Sequence, residues 1–470
     1  MKVFNSLSNK KEELHDTKTP ITMYTCGPTV YYFPHIGNMR AYLFMDFLRK
    51  SLKFLGYKLN SVMNLTDVGH LTSDEDEGED KMEVSARREK KSPLEIAEFY
   101  TNCFFSDFKK LNIEKPEHVV KATDHINLMI EFIKKLEAKG YTYKIDDGIY
   151  FDVKKFSGYG ALSNKDLNKT GVNRIEDNVQ KHHPFDFALW KFVPENHIMK
   201  WDSPWGVGCP GWHIECSAMG MHYLGNHIDI HTGGVDHRSV HHENEIAQND
   251  CMLGRRVVQN WMHVEFLQVD GGKMSKSLGN IYTITDLENK GYSALDFRYL
   301  NLLTHYRKSL NFTFDALTSA KSALKSLKNA VLEHKNAEDK AIDLSSYKIE
   351  FKTALEDDLN MPLALGVVWK LVKEPKNKQV YNLILDFDKV LSLDLGKEES
   401  VDIPEEVKKI AEERLKARSD KNWALSDSLR DKIKELGYLI KDSKEGYTIE
   451  KIWWKKKTTK QVCHLNLLYF

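Results

Sequence analysis

Two short strings far apart in the chain place donors suited to a phosphate chain on glycine-bearing turns. In Pro34-His35-Ile36-Gly37-Asn38 the glycine lets backbone come close to a ligand, and His35 can donate from an imidazole nitrogen to a phosphoryl oxygen. Met45, Leu48, Leu52 and Leu55 follow at helical spacing, so the free N–H groups and positive dipole end of a helix face the same spot. Alone, a His-x-Gly turn is more often structural. The second string, VDGGKMSKSLGN at 269–280, hinges Lys273, Met274, Ser275, Lys276 and Ser277 on a Gly-Gly pair. Two ammonium groups three residues apart suit a departing pyrophosphate. The plainer reading is a solvent loop with two lysines.

Soft or borderline metal ligands lie in four further stretches: YTCGPT, CPGWHIECS, DIHTGGVDH and VHHENEIAQ. No compact CxxC or HExxH pattern is present, so spacing alone signals a metal weakly. His241 and Glu245 are four apart on an expected helix and share a face, whereas His242 is expected to point elsewhere. Structural histidines on a polar helix face are the competing reading. The six cysteines (26, 103, 209, 216, 251 and 463) are too few for a disulfide scaffold and default to buried filler, nucleophiles or ligands.

The elements that must position these residues follow from periodicity. ITMYTCGPTV reads as a strand, the residues after His35 as a helix stopped by Gly56, and KLNSVMNLTD as a second strand. That βαβ unit implies a parallel sheet with ligands at the carboxyl ends of its strands. The acidic run 74–80, DEDEGED, is expected to be a solvated mobile loop without chemistry. A mixed stretch near 120–200, with DDGIYFDV as a hairpin and FSGYGALS as loop, reads as an insertion before GWHIECSAMGMHYLG and HIDIHTGGVDH resume the nucleotide fold. After about residue 300 the texture becomes Lys- and Glu-rich helices, and beyond GKEESVD it reads as helix, helix and short ribbon.

Length and charge bound the rest. A chain of 470 residues implies two to four domains, and 68 basic against 68 acidic residues leave no global field toward nucleic acid or membrane. No apolar stretch approaches the roughly 20 residues needed to span a bilayer. The N-terminus is too polar and acidic for a signal peptide, so a cytoplasmic protein without membrane association is expected.

Together, His-Ile-Gly-Asn after an early strand and Lys-Met-Ser-Lys-Ser late in the same domain resemble the paired signature of class I aminoacyl-tRNA synthetases. Asn38 stands where the general class pattern has a second histidine. TCGPTV, GWHIECSAMG and HHENEIAQ in this order, with NLTDVGHLTSD and RSDKNWALSDSLRD, closely resemble the cysteinyl-tRNA synthetase family from the N-terminus to about residue 452. The tail WWKKKTTKQVCHLNLLYF is unlike the family. The resemblance implies an α/β protein: a Rossmann-type class I synthetase catalytic domain (1–120 and 200–265) with a connective insertion (121–199). A KMSKS and stem-contact region (266–310), a helical anticodon-binding bundle (311–398) and a small C-terminal α+β tRNA-recognition module with the tail (399–470) would follow.

Carried over residue by residue, the resemblance gives catalytic roles to His35, Asn38, Lys273 and Lys276. It assigns ATP to these four with Gly37, Gly234, Asp236, Met274, Ser275 and Ser277, and substrate cysteine to Gly27, Thr66, Trp212 and His213. One Zn²⁺ falls to Cys26, Cys216, His241 and Glu245, leaving Cys209 as filler or support, and Mg²⁺ would accompany ATP. The family more often has a third glycine where Thr232 or Val235 stands. Arg418, Trp423 and Asp427 would offer charge, stacking and an edge-reading carboxylate to unpaired bases of tRNA(Cys). A monomer is expected. The implied reaction joins L-cysteine to tRNA through an adenylate, without a protein nucleophile. Two rivals remain open here: a ligase that transfers cysteine to an amino sugar, and a non-catalytic RNA-binding paralogue.

Overall fold

Five short runs rich in β-branched and other apolar residues form one parallel sheet, in the order Val258–Val264, Ile228–Gly234, Ile21–Thr25, Leu59–Leu65, His118–Lys121. Numbered along the chain that order is 5-4-1-2-3, the Rossmann arrangement read from its far edge. The computed structural model describes residues 1–68, 80–165, 167, 180–275, 278–398, 404–443 and 446–451. The chain divides into two compact units, Met1–Gly396 and one beginning at Lys397.

The helix Ile36–Phe54 joins the first two sheet strands, and its Met39, Leu43, Met45, Leu48 and Leu52 are fully buried. It ends at Leu55, and Gly56 takes the positive φ of 92° that turns the chain into the next strand. An antiparallel sheet, Thr142–Ile145, Gly148–Phe151, Phe187–Phe192 and Gly208–Pro210, spans the expected insertion and takes its last strand from beyond residue 199. An N-terminal ribbon, Lys2–Asn5 with Lys10–Glu13, precedes the sheet; beyond it Ser6 N–H donates to the Trp261 carbonyl at 2.8 Å.

The helices Phe314–Lys335, Ser345–Glu356, Met361–Leu371 and Lys378–Leu391 complete the first unit. The second unit is a helix pair, Glu405–Ser419 and Trp423–Glu435, and the ribbon Tyr438–Ser443 with Gly446–Lys451. This is the expected fold class: a Rossmann-type α/β domain with an insertion, a helical bundle and a small α+β module. Of the acidic run, residues 74–79 lie outside the described residues, as does the tail from 452. Asp80 departs from the solvated reading. It is 5% exposed, caps the helix Lys81–Glu89 by accepting from Met82 and Glu83 N–H, and pairs with His197 at 3.2 Å.

A buried ion pair fixes the signature helix to the helical portion of the first unit. Arg298, on the helix Ala294–Leu302, donates to Asp46 at 2.6 Å, to the Leu391 carbonyl at 2.6 Å and to the Leu111 carbonyl at 2.8 Å. Neither side chain of the pair is solvent-exposed. Burial alone would raise the Asp46 carboxyl, but Arg298 and Lys50 beside it hold it below the ordinary carboxylate range.

Replacing Asp46 by Ala leaves the guanidinium buried without its counter-charge and should destabilise the first unit by roughly 3–5 kcal/mol, read as a lowered denaturation midpoint. Because the folded-state pKa is depressed, the Asp46 contribution should be complete above about pH 3.9 and fade as pH falls through the folded value. A parent and Asp46→Asn pair followed by acid titration of stability checks the sign.

Candidate active site

In a sheet of order 5-4-1-2-3, strand order reverses between the first and fourth strands, and a crevice opens beyond their carboxyl ends. The first strand ends at Thr25 and runs directly into Cys26-Gly27; the fourth ends at Gly234, just before Asp236. A cleft of ≈ 520 Å³ lies there. Its walls include Gly27, His35, Gly37, Asn38, Thr66, Trp212, Gly234, Asp236, Lys273 and Met274, with Cys26, Cys216 and His241 among them. Residues read as separate motifs therefore share one cavity.

His35 is the N-cap of the signature helix. Its Nδ1 accepts from Asn38 N–H at 3.2 Å, while Asn38 Oδ1 accepts from His35 N–H at 3.1 Å, closing a reciprocal capping box. The cap uses Nδ1 as acceptor, so the ring proton sits on Nε2 and Nε2–H is the donor left for a ligand. Burial holds the ring below its usual pKa, partly offset by Asp236. Asn38, with its oxygen committed to the cap, offers its Nδ2 protons. A Cβ on Gly37 would stand 2.4 Å from Met274 Cε and 3.0 Å from the His35 ring, so the lysine string closes directly over the glycine.

That string is held from both sides. Asp270 and Gly271 form a tight turn with φ of 50° and 76°, bonded by Asp270 N–H to the Phe312 carbonyl at 3.0 Å and by Gly271 N–H to Asn311 Oδ1 at 2.8 Å. Downstream, Ile36 N–H donates to the Tyr282 carbonyl at 2.8 Å, and Asn280 bonds Ser275 N–H and the Lys273 carbonyl. Ser275 is not on the cleft wall, and Lys276 and Ser277 lie outside the described residues.

Beneath the cleft, Cys26, Cys216, His241 and Glu245 offer ligand atoms all within 4.8 Å of one another, and all four residues are buried. Cys26 Sγ is 4.0 Å from Cys216 Sγ and 3.8 Å from Glu245 Oε1, and His241 Nε2 is 3.1 Å from that oxygen. With metal–sulfur bonds of about 2.3 Å and metal–nitrogen or –oxygen bonds of about 2.0 Å, tetrahedral edges are about 3.8, 3.5 and 3.3 Å. The donors fit a zinc-sized ion. Their charges fit as well. Burial, Cys216 and Glu245 push the Cys26 thiol well above its usual range, so the set cannot ionise fully without a cation. Burial also raises Cys216, but its contacts with Cys26 and His241 bring it to about 7, and Glu245 is held at about 2 by His231 and His241 against burial.

One expectation is corrected. His242 does not point away: its Nε2 lies 3.2 Å from Cys26 Sγ and 3.9 Å from Glu245 Oε1, because residues three apart on a helix also share a face. A second set, Cys26, His231, His242 and Glu245, is equally compact. Neither His231 nor His242 lines the cleft, whereas Cys26, Cys216 and His241 do, so the first set opens onto the cleft through three of its residues and the second through Cys26 alone. His231 bonds Glu245 at 2.9 Å and His242 bonds His263 at 2.8 Å, supporting the donors from behind. Cys209 belongs to neither set and lies on the strand Gly208–Pro210.

The expected amino-acid pocket divides. Trp212 lines the cleft and stacks on His241, centroids 4.4 Å apart. His213 is buried behind it, with Nδ1 2.9 Å from His241 Nδ1, and does not reach the cleft wall. Thr66 accepts from Asn64 at 3.0 Å and donates to Glu215 at 2.7 Å, and Asn64 Oδ1 receives Gly27 N–H at 2.7 Å. Asn64 and Glu215 escaped the sequence reading, although Asn64 sits at the carboxyl end of a parallel strand and an acid on a buried helix needs a partner. Thr232, standing where the family favours glycine, shares a 2.8 Å hydroxyl contact with Thr25. Asp236 folds back so closely that a Cβ on Gly234 would meet its Oδ1 at 2.1 Å.

In the second unit, Trp423 is 57% exposed with the Arg418 guanidinium 5.7 Å from its ring centroid. Arg418 also pairs with Asp442 at 3.1 Å, and Asp427 with Arg430 at 3.1 Å.

A Rossmann sheet whose switch point joins a His-Ile-Gly-Asn helix cap to a Lys-Met-Ser string is the catalytic half of a class I aminoacyl-tRNA synthetase. Residues 12–322 match the tRNA synthetase class I (C) catalytic domain, and 400–449 match the cysteinyl-tRNA ligase anticodon binding domain. The chain is 46% identical over 497 residues to cysteine–tRNA ligase of Treponema denticola, covering 97% of this chain and 99% of that one. It is 41% identical to the enzyme of Protochlamydia amoebophila, covering 96% and 98%. Among solved structures, methionyl-tRNA synthetase of Mycobacterium tuberculosis with methionyl-adenylate shares the fold, at TM-score 0.56 and 13% identity over 80% of this chain and 90% of that one. The chain belongs to the cysteinyl-tRNA ligase family. Among the described residues, no helix is long and apolar enough to cross a membrane.

Two of the cleft glycines, Gly27 and Gly37, should respond differently to Ala. A Cβ at Gly27 would stand 1.6 Å from the Asn64 backbone oxygen, so Gly27→Ala must push the ends of the first and second sheet strands apart and should lower the melting temperature markedly. At Gly37 the nearest atom is the far end of a methionine, which can move. Gly37→Ala should melt near the parent temperature while weakening ATP binding, measured by calorimetric titration.

Proposed function

We propose that the protein activates L-cysteine with ATP to cysteinyl-adenylate and transfers the cysteinyl group to the 3′ end of tRNA(Cys), with zinc selecting the substrate thiol. The observation that carries the selectivity is the buried two-thiol, imidazole and carboxylate set opening onto the cleft that also holds the phosphate-binding helix cap. Cys26, Cys216, His241 and Glu245 would hold the ion. Bound there, zinc would favour a thiol, deprotonated readily from about pKa 8.5, over the harder and far less acidic serine hydroxyl. Rejecting serine by roughly 10⁴-fold needs about 5.5 kcal/mol, whereas a small size difference in an apolar pocket supplies only about 1–3.

The protein's own groups position and stabilise. His35 Nε2–H, Asn38 and the free N–H groups of the capped helix meet ATP phosphates, which Mg²⁺ accompanies, and Gly37 admits them close to backbone. Asp236, beyond Gly234, takes ribose hydroxyls. Trp212, Gly27 and Thr66 shape the space for cysteine, and His213 orients His241. The cysteine carboxylate attacks the α-phosphate, and Lys273 and Lys276, with Met274, Ser275 and Ser277 between and beside them, stabilise the charge on departing pyrophosphate. A ribose hydroxyl of the tRNA then takes the acyl group. Arg418, Trp423 and Asp427 of the second unit meet unpaired anticodon bases.

Cysteine-dependent pyrophosphate exchange and charging of a tRNA pool with each amino acid in turn test the reading; charging by any amino acid other than cysteine overturns it. A chain ending at Gly396, the end of the first compact unit, should keep exchange and charge tRNA poorly. Metal analysis should find about one zinc per chain. Cys216→Ser should lose metal and cysteine activation together, and Cys209→Ser should keep both.

A further inference from the structure

Just before the helix cap stand Tyr31, Tyr32 and Phe33, aromatic residues that neither the sheet nor the metal set uses. Tyr32 and Phe33 are 41% and 42% exposed, and Phe99, on the helix Pro93–Lys110, is 40% exposed. These rings are grouped. Phe33 lies 6.0 Å from Phe99 and 5.0 Å from Tyr100, and Tyr32 stacks on Tyr100 at 6.2 Å with 28° between planes. Tyr100 is buried and is the base of the group, its hydroxyl donating to the Glu89 carboxylate.

Cations ring this platform. The Arg88 guanidinium stands 5.1 Å from the Tyr32 centroid, and the Lys91 ammonium 4.5 Å from that of Phe99. Both belong to the run Arg87-Arg88-Glu89-Lys90-Lys91, which holds four cations and one carboxylate, and all four cations are exposed. Glu89 is occupied by Arg88 at 2.8 Å, Lys91 at 3.7 Å and the Tyr100 hydroxyl, and Arg87 pairs with Glu83 at 3.9 Å, so the four cations still outnumber these two carboxylates. Tyr32, Phe33 and Tyr100 line the same cleft as His35 and Trp212.

We propose that this platform receives the unpaired 3′ end of the tRNA, stacking its bases on Tyr32, Phe33 and Phe99 and meeting its phosphates with Arg88 and Lys91. The inference rests on the function proposed above. A terminal ribose hydroxyl must reach an adenylate inside the cleft, so a single strand has to cross the cleft mouth. Exposed rings with cations at their edges are the two features that hold unpaired nucleotides without reading their sequence.

The test compares Phe99→Ala, Phe99→Tyr and Lys91→Glu with the parent by pyrophosphate exchange and by kcat/KM for tRNA in charging. Phe99→Ala should lower the charging value by about 10-fold or more and Lys91→Glu by a salt-dependent factor, with exchange unchanged and Phe99→Tyr restoring the parent value. A tRNA lacking its single-stranded 3′ end, used as a competitive inhibitor, should bind parent and Phe99→Ala alike. Equal losses in exchange and charging, or a weaker hold on the shortened tRNA, would overturn the proposal in favour of an ATP-binding or structural role. Unchanged charging by Phe99→Ala and Lys91→Glu overturns the platform alone; a parent that charges no tRNA with cysteine overturns the underlying function as well.

Discussion

The candidate metal set at the switch point is arranged around one buried carboxylate, Glu245. It takes a proton donor from His231 on the fourth sheet strand and another from His241 one turn back on its own helix, and it faces Cys26 at the end of the first strand. A carboxylate with no exposure would ordinarily take up a proton; two imidazoles hold it at about 2 instead. Burial first, then Cys216 and the charge of Glu245, raise the Cys26 thiol, so the donor set cannot ionise fully without a cation. The fourth strand, the helix His241–Leu253 and the end of the first strand each contribute a group to that one carboxylate.

The phosphate side obeys a different constraint. A helix N-terminus leaves N–H groups unpaired, and His35 and Asn38 satisfy some of that demand with atoms a ligand does not need. Capping uses the Nδ1 edge of the imidazole, and the proposed phosphate contact would use the Nε2 edge. The helix so capped is anchored deeper by Asp46 and Arg298, which join it to carbonyls of two other segments, so the cap sits on a rigid element.

Much of the fold was legible because strand, helix and bundle textures are local periodicities. The first strand, signature helix and second strand stand where their apolar spacing put them, and Gly56 stops the helix as its type suggested. The N-terminal ribbon was not read: its exposed strand KKEE has no alternating pattern. The site was less legible. Its candidate metal donors come from three segments, and in the sequence only the resemblance to a family joins them. His242 was misjudged because the i to i+4 neighbour was weighed and the i to i+3 neighbour was not. His35 was read as a ligand donor only, since histidine is uncommon as a cap and the role depends on backbone angles that no residue type reveals. Asn64 and Glu215 act through partners distant in sequence, which a linear reading does not supply.

The lysine string is pinned by the Asp270–Gly271 turn before it and by the Ile36–Tyr282 bond after it. Between those fixed points the thermodynamic cost of extra chain is small, about 0.6 kcal/mol for each doubling of length. Apart from the bonds of Asn280 to Ser275 and Lys273, folding therefore places little restriction on how many residues this stretch contains. What restricts it is reach: Met274 must close over Gly37 with Lys273 beside it. Under the proposed function, insertions here would cost little stability and show mainly in turnover, so chemistry more than folding would set the length of this segment.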